Sequence, residues 1–331
     1  MFEARLKFQD GATLALPVKP EETVVEAAMR QDVPLRYDCT TGECGACLGR
    51  CSQTRSISSG PAPIISAEEA AEGLVATCQT RMTADAAFSF DYPLEPTPSE
   101  PARYRAKLAA HDRLCGTVSR LLIELDDAEG FRFQPGQYLR LRPPGLRVAR
   151  AYSIASTMAD LPHIELLIRH LDGGQVSEWL RSAAAPGDRL VLQAPLGGFA
   201  ADTSADRQVF IAGGTGLAPV LSMIRAQAEE ARDMLLVFGC TREEELFYHE
   251  ELSALAGRVP RLEVRIALME GQRPGIYRGT ALAALADEDF AAGHAYHLCG
   301  PPAMIDAARA LLRCHSVPPQ AIRAERFARG V

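Results

Sequence analysis

Four cysteines restrict this chain more than any other feature. Cys39-x4-Cys44-x2-Cys47, with Cys78 further along, is the spacing of a four-thiolate 2Fe–2S cluster. Such a loop must let backbone N–H groups approach the sulfurs closely, and Gly42 and Gly45 allow that. The alternatives are a zinc site or four buried thiols. Zinc favours paired Cys-x2-4-Cys knuckles, whereas this stretch offers one such pair and two single cysteines, so the cluster reading leads. Cys51 fits no ligand slot and reads as a small buried hydrophobe. Nine cysteines in 331 residues are too few, and odd in number, for a disulfide scaffold. Cys115, Cys240 and Cys314 show no pairing pattern.

At about 100–200 residues per domain, this length implies two or three domains. An apolar fraction of 47% and a charged fraction of 23% are those of an ordinary soluble protein. No apolar run approaches the ~18 residues of a membrane span, and the first residues alternate rather than form a signal-peptide core. The expectation is a cytoplasmic protein with no membrane contact. Charge is unevenly divided. Residues 1–98 hold 14 Asp and Glu against 8 Lys and Arg, a net of −6, and the remaining 233 hold 28 against 27. That bias argues against nucleic acid and for a basic protein partner of the first segment, unless the acidic surface is merely solubilising.

Four prolines between Tyr92 and Pro101 read as a stiff linker, and a second seam lies near 196–207. The expected domains are 1–98, 103–202 and 205–331. In the first, Phe2, Ala4, Leu6 and Phe8 alternate with polar residues before an Asp10-Gly11 turn, which signals a hairpin. A helix follows over about 22–31. Ser66-Ala-Glu-Glu69 reads as a capping box opening a helix that stops at Gly73, and Leu74–Thr77 as a strand. The middle segment holds short strands between Gly/Pro turns, as in a small β-barrel. The last alternates strand 208–212, helix 217–230, strand 234–239, helix 244–256 and strand 262–267, the rhythm of a parallel sheet with crossover helices.

Arg36-Tyr-Asp-Cys-Thr-Thr-Gly-Glu-Cys-Gly-Ala-Cys47 resembles the cluster loop of plant-type ferredoxins. Arg150-Ala-Tyr152-Ser153, after Pro135-Gly-Gln-Tyr138, resembles the flavin signature of the ferredoxin–NAD(P)+ reductase superfamily. Gly173-Gly174-Gln175-Val176-Ser177 opens a helix after strand Ile164–Arg169, a place suited to a phosphate. Gly213-Gly214-Thr215-Gly216-Leu-Ala-Pro219 and Cys299-Gly300-Pro-Pro302 follow apolar strands, where doubly wound sheets bind ligands, and the first string resembles that superfamily's nicotinamide loop. In domain order the whole chain resembles the reductases of bacterial ring-hydroxylating dioxygenases, benzoate 1,2-dioxygenase type, and Ile65–Gln79 is especially like that subgroup.

The resemblance implies a multidomain α+β and α/β fold: a β-grasp 2Fe–2S ferredoxin, an antiparallel β-barrel flavin domain and a parallel-sheet α/β nicotinamide domain. It implies 2Fe–2S, FAD and NADH as cofactors, with electrons passing in that chain to a Rieske-type terminal oxygenase docked on the acidic ferredoxin domain. Cys39, Cys44, Cys47 and Cys78 become cluster ligands. Arg150, Tyr152, Ser153, Arg169, Gly174, Gln175, Val176 and Ser177 become flavin residues. Gly214, Thr215, Gly216, Arg242 and Gly300 become dinucleotide residues, with Ser153, Thr215 and Cys299 nearest the chemistry and Phe327 over the flavin. In Thr241-Arg-Glu-Glu-Glu245 one arginine faces three carboxylates, which favours NADH over NADPH. Other readings are a carrier module that has lost catalysis, or the reductase of a soluble diiron monooxygenase (methane or phenol type) or of a deoxysugar dehydratase.

Overall fold

The computed structural model describes every residue except 38, 39, 41, 43, 44, 63, 66, 93, 95–101 and 328–331. Cys39 and Cys44, the Ser66 cap and most of the linker therefore lie outside the described residues. The chain divides into two compact units, Met1–Glu100 with Arg326–Val331, and Pro101–Glu325.

In the first unit, β1 (Phe2–Lys7) and β2 (Thr13–Val18) form the expected hairpin, and α1 (Val24–Arg30) follows. Ala4, Leu6 and Phe8 are buried while Glu3, Arg5 and Lys7 are exposed, the period-two pattern of a sheet with one covered face. A capping box starts α1: Thr23 Oγ1 accepts from the Glu26 N–H, and Glu26 Oε2 accepts from the Thr23 N–H. Then come β3 (Leu48–Cys51), β4 (Ile57–Ser59), α2 (Ala67–Ala71), β5 (Leu74–Ala76), β6 (Thr80–Met82) and β7 (Ala86–Ser89). The main sheet runs β2-β1-β7-β3-β5, with β1 and β7 parallel. Phe8 and Phe90 stack in its core, and Tyr92 packs against both at a tilt. The Arg36 guanidinium lies 4.4 Å above the Tyr92 ring, tying the start of the cysteine loop to the end of the sheet.

The second unit begins as an antiparallel barrel. Its strands are β8 (Ala102–Arg113), β9 (Val118–Leu125), β10 (Tyr138–Arg142), β11 (Arg150–Ser153), β12 (His163–Arg169) and β13 (Arg189–Leu196), with α3 (Gln175–Ser182) between the last two. The sheet order is β11-β10-β13-β8-β9-β12. An Ile154–Leu166 bridge brings its two edges together, and the alternate residues Leu121, Ile123, Leu139, Leu141, Ile164, Leu166 and Leu192 fill the interior.

The rest of this unit is a parallel sheet. It contains β14 (Arg207–Gly213), α4 (Leu217–Ala226), β15 (Asp233–Cys240), α5 (His249–Arg258), β16 (Leu262–Leu268), β17 (Tyr277–Arg278), β18 (His294–Gly300), α6 (Pro302–Cys314) and β19 (Ile322–Arg326). The order β17-β16-β15-β14-β18-β19 reverses direction beside β14, so the carboxyl ends of β14 and β18 frame the crevice where such sheets bind ligands.

Two helices depart from their expected bounds. The one expected over 217–230 stops at Ala226, because Gln227 turns its side-chain amide onto the Met223 carbonyl and accepts from Gln208. The one expected from 244 starts at His249. Glu243–Glu245 form a single 3-10 turn, and Tyr248 stands in the left-handed conformation with φ 60°.

Tyr248 takes part in a buried polar node joining the barrel to the sheet. Its hydroxyl donates to Glu165 of β12, whose other oxygen accepts from Arg225 of α4 at 2.8 Å. Arg225 also donates to the Ala155 carbonyl, and Ser222 to that of Ser156. Glu165→Ala leaves the Arg225 charge and the Tyr248 hydroxyl without this acceptor in a low-dielectric site. It is expected to cost about 3 kcal/mol in urea unfolding of the second unit; a loss below about 0.5 kcal/mol would contradict the node's importance.

Candidate functional site

The cysteine loop is built from unusual backbone. Thr40, Gly42 and Gly45 have φ of 56°, 80° and 77°. A Cβ at Gly42 would stand 2.9 Å from the Pro61 carbonyl oxygen, so no larger residue fits there. Cys47 and Cys78 are both buried. The Cys47 carbonyl accepts from both the Thr77 N–H, at 3.1 Å, and the Thr77 hydroxyl, at 2.8 Å. The register Leu48–Ala76 of the β3–β5 ladder sets Cys47 against Thr77, the chain neighbour of Cys78. Gln79 Nε2 reaches back to the Thr40 carbonyl at 2.7 Å. A tight, glycine-bearing loop with two buried thiols suits an inorganic cluster. Cys39 and Cys44 lie outside the described residues, and those described contain no group of three metal-ligating side chains.

In the second unit, β11 carries Arg150, Tyr152 and Ser153 along the barrel edge. Arg150 is exposed; its guanidinium donates to the neighbouring Ala149 carbonyl and forms no ion pair among the described residues. Gly174 caps α3 without a side-chain bond, leaving the N–H groups of Gln175 and Val176 available at the positive end of the helix. Ser177 Oγ accepts from the Leu171 N–H at 2.8 Å, which folds the preceding loop back over the helix start. An exposed guanidinium and helix-start N–H donors flanking a half-buried tyrosine fit a flavin with a pyrophosphate.

The dinucleotide loop fits as closely. Gly213–Gly216 follow β14 and run against the end of β18: a Cβ on Gly216 would lie 2.3 Å from the Cys299 carbonyl oxygen. Gly214 has φ 54°, and Arg169 of the barrel reaches its position, the Nη1 lying 3.5 Å from where a Cβ would be. Arg169 also pairs with Glu245 at 3.5 Å. Barrel and sheet thus meet at this loop. Arg242 pairs with Glu270 at 3.2 Å.

One residue at this edge is missing from the expected set. Glu325, on β19 next to β18 in the sheet, accepts a hydrogen bond from Ser153 and has its Oε2 4.0 Å from Cys299 Sγ. Burial pushes its carboxyl up to about 8, opposed in part by the Ser153 hydroxyl. The Cys299 thiol is pushed well above its ordinary value, first by burial and then by Glu325. At neutral pH the three groups form an uncharged cluster of hydroxyl, carboxyl and thiol. Its only trace in the sequence is an acidic residue in a strand at the chain's end. Phe327 lies just past β19, half-buried, in the segment Arg326–Val331 that groups with the first unit.

This arrangement defines a flavin- and nicotinamide-binding oxidoreductase fused to a cluster-binding domain. Comparison with known proteins agrees. Residues 7–83 match the 2Fe-2S iron-sulfur cluster binding domain, 105–200 the oxidoreductase FAD-binding domain and 210–310 the oxidoreductase NAD-binding domain. The chain is 32% identical to the toluate 1,2-dioxygenase electron transfer component of Pseudomonas putida, over 97% of each chain. It is also 32% identical to methane monooxygenase component C of Methylosinus trichosporium, over 89% of this chain and 90% of that one. The crystal structure of the Amycolatopsis cytochrome P450 reductase GcoB superposes with a TM-score of 0.72 at 29% identity, covering 99% of both chains. The chain belongs to the family of iron–sulfur flavoprotein reductases that serve as electron transfer components, and its cofactors are 2Fe–2S, FAD and NAD.

Proposed function

We propose that this chain is the NADH-oxidising reductase of a benzoate-type ring-hydroxylating dioxygenase and hands single electrons to a Rieske-type oxygenase. The observation that carries most weight is the meeting of β11, the Gly214–Gly216 loop, Cys299 and Glu325 at one edge. There the barrel residues that would hold a flavin stand against the sheet residues that would hold a nicotinamide. FAD, when bound, converts the two-electron chemistry of NADH into the single-electron chemistry of a 2Fe–2S cluster; the protein supplies orientation and electrostatics.

In this reading Arg150, Gln175, Val176 and Ser177 hold the FAD phosphates, and Tyr152 packs on the ring. Thr215 and Gly216 position the dinucleotide, and Arg169 closes the loop from the barrel side. Ser153, Glu325 and Cys299 exclude water and hold a proton on the Glu325 carboxyl beside the reacting edge. Relatives at 32% and 29% identity carry dioxygenase names, and one at 32% identity over 97% of this chain carries an alkene monooxygenase name, so the choice of acceptor rests on the resemblance of Ile65–Gln79 to the benzoate type. No helix among the described residues is long and apolar enough to cross a membrane.

The acidic ferredoxin segment supports the docking half of the proposal. An oxidised cluster with four thiolates adds about −2 to its charge. Electron transfer to a purified benzoate-type oxygenase is expected to slow several-fold as salt rises from 0.02 to about 0.3 M, because screening shortens the steering field. Flavin reduction by NADH, internal to the other unit, should change less than twofold. Charge reversal at Asp38 or Glu43 should reproduce the salt effect. A coupled rate indifferent to salt and to both reversals would make the acidic bias a solvated surface and remove the docking site.

Glu325 gives a separate, pH-linked expectation. Its carboxyl keeps its proton in the folded protein up to about pH 8 but loses it near 4.5 when unfolded. Between those values the folded state binds more protons, so stability falls with rising pH. Glu325→Gln removes this loss. The melting temperature of the variant relative to wild type should climb from pH 5 to 8 and level off above. A difference that stays flat across that window would contradict a buried, protonated carboxyl.

A further inference from the structure

The parallel ladder of the sheet continues past the ends of β15 and β16. The Met269 N–H donates to the Cys240 carbonyl at 3.1 Å, and the Glu270 N–H to the Thr241 carbonyl at 2.8 Å. Two chain segments leaving the carboxyl edge are therefore held in register, and their next side chains stand beside each other. Arg242 Nε meets Glu270 Oε2 at 3.2 Å. The loop after β16 also leans on Glu243, whose carboxylate lies 4.0 Å from where a Cβ on Gly271 would be. Glu244 and Glu245 complete the acidic surroundings of this guanidinium, which Glu270 holds most strongly in its charged form.

The position matters for dinucleotide choice. β15 is the neighbour of β14, and the end of the strand next to the glycine loop is where a doubly wound sheet meets the adenine ribose. There an acidic residue takes a 2′-hydroxyl, while an arginine takes a 2′-phosphate.

We infer that Glu270 is a specificity-determining residue: by holding Arg242 it keeps the ribose end selective for NADH over NADPH. This rests on the proposed placement of the NAD ribose at the β15 edge. A 2′-phosphate would have to displace the Glu270 carboxylate from Arg242 and then stand among Glu243, Glu244 and Glu245. A 2′-hydroxyl needs neither. The pair is exposed on both sides, so its effect is modest: an ion pair of this kind shifts an equilibrium by at most about fivefold.

The probes are adenosine 2′,5′-bisphosphate and 5′-AMP, titrated calorimetrically into the FAD- and cluster-loaded full chain at fixed ionic strength. Glu270→Gln is expected to tighten the bisphosphate about three- to fivefold relative to 5′-AMP, and Glu270→Lys about tenfold or more. Adding Arg242→Ala to Glu270→Gln should abolish that gain. If the gain persists in the double variant, another cation such as Arg273 takes the phosphate and the inference falls. If Arg242→Ala alone weakens the bisphosphate but Glu270→Gln does not tighten it, the ribose placement stands and the role of Glu270 is wrong. If neither substitution alters the ratio, the ribose placement itself fails.

Discussion

Cys47→Ala and Cys78→Ala variants are expected to lose more than nine-tenths of the cluster absorbance and of electron delivery to the oxygenase. Both should keep most of their NADH-to-ferricyanide activity. Each substitution removes one of the four thiolates expected to hold the cluster, at a buried position. Ferricyanide can take electrons from the flavin, which belongs to the other unit. Cys51→Ala is the control. Cys51 is also buried, but it lies at the far end of β3 from Cys47. Four residues of strand at about 3.3 Å each put it roughly 13 Å away, out of reach of the same cluster. Its thiol, pushed up chiefly by burial, behaves as a small hydrophobe. If Cys51→Ala bleached the protein and Cys78→Ala did not, the ligand set would be wrong.

Gly216→Ala is expected to raise the KM for NADH at least tenfold or to prevent folding of the nicotinamide half. The backbone at Gly216 is ordinary right-handed helical, so φ imposes no glycine. Space does. The added methyl would stand 2.3 Å from the Cys299 carbonyl oxygen and 2.9 Å from the Gly300 nitrogen, both backbone atoms that cannot swing aside. The two loops must part, and the crevice between β14 and β18 opens with them. Gly257→Ala, on α5, separates this from a general glycine effect. Nothing lies within 4 Å of its Cβ position, and alanine in a helix should stabilise by about 0.5–1 kcal/mol. Equal kinetics for Gly216→Ala and wild type would show that the close approach is not needed.

What could be read from the sequence was whatever is local along the chain. Arg150–Ser153, Gly174–Ser177 and Gly213–Gly216 are each confined to one strand or turn, so residue type and interval report their backbone geometry directly. The domain classes followed from strand and helix rhythm for the same reason. Glu325 was not legible as a site residue. It reaches Ser153 and Cys299 only because β19 lies beside β18 at the sheet's edge and the barrel strand β11 comes up to meet it. The Arg242–Glu270 pair depends on parallel register, and the Glu165 node on contacts between two subdomains. The two misjudged helix ends share that cause. Gln227 stops α4 through a long-range bond to Gln208, and Tyr248 leaves helical geometry to reach Glu165 on the barrel.

The central claim is that electrons run from NADH through FAD to the 2Fe–2S cluster within one chain. Anaerobic rapid mixing of the loaded protein with NADH, followed by flavin absorbance and by freeze-quench EPR, tests it most directly. The account predicts that flavin absorbance falls first and that the signal of a reduced 2Fe–2S cluster then grows within a single turnover. A cluster that stayed oxidised through many turnovers, or was reduced ahead of the flavin, would contradict it.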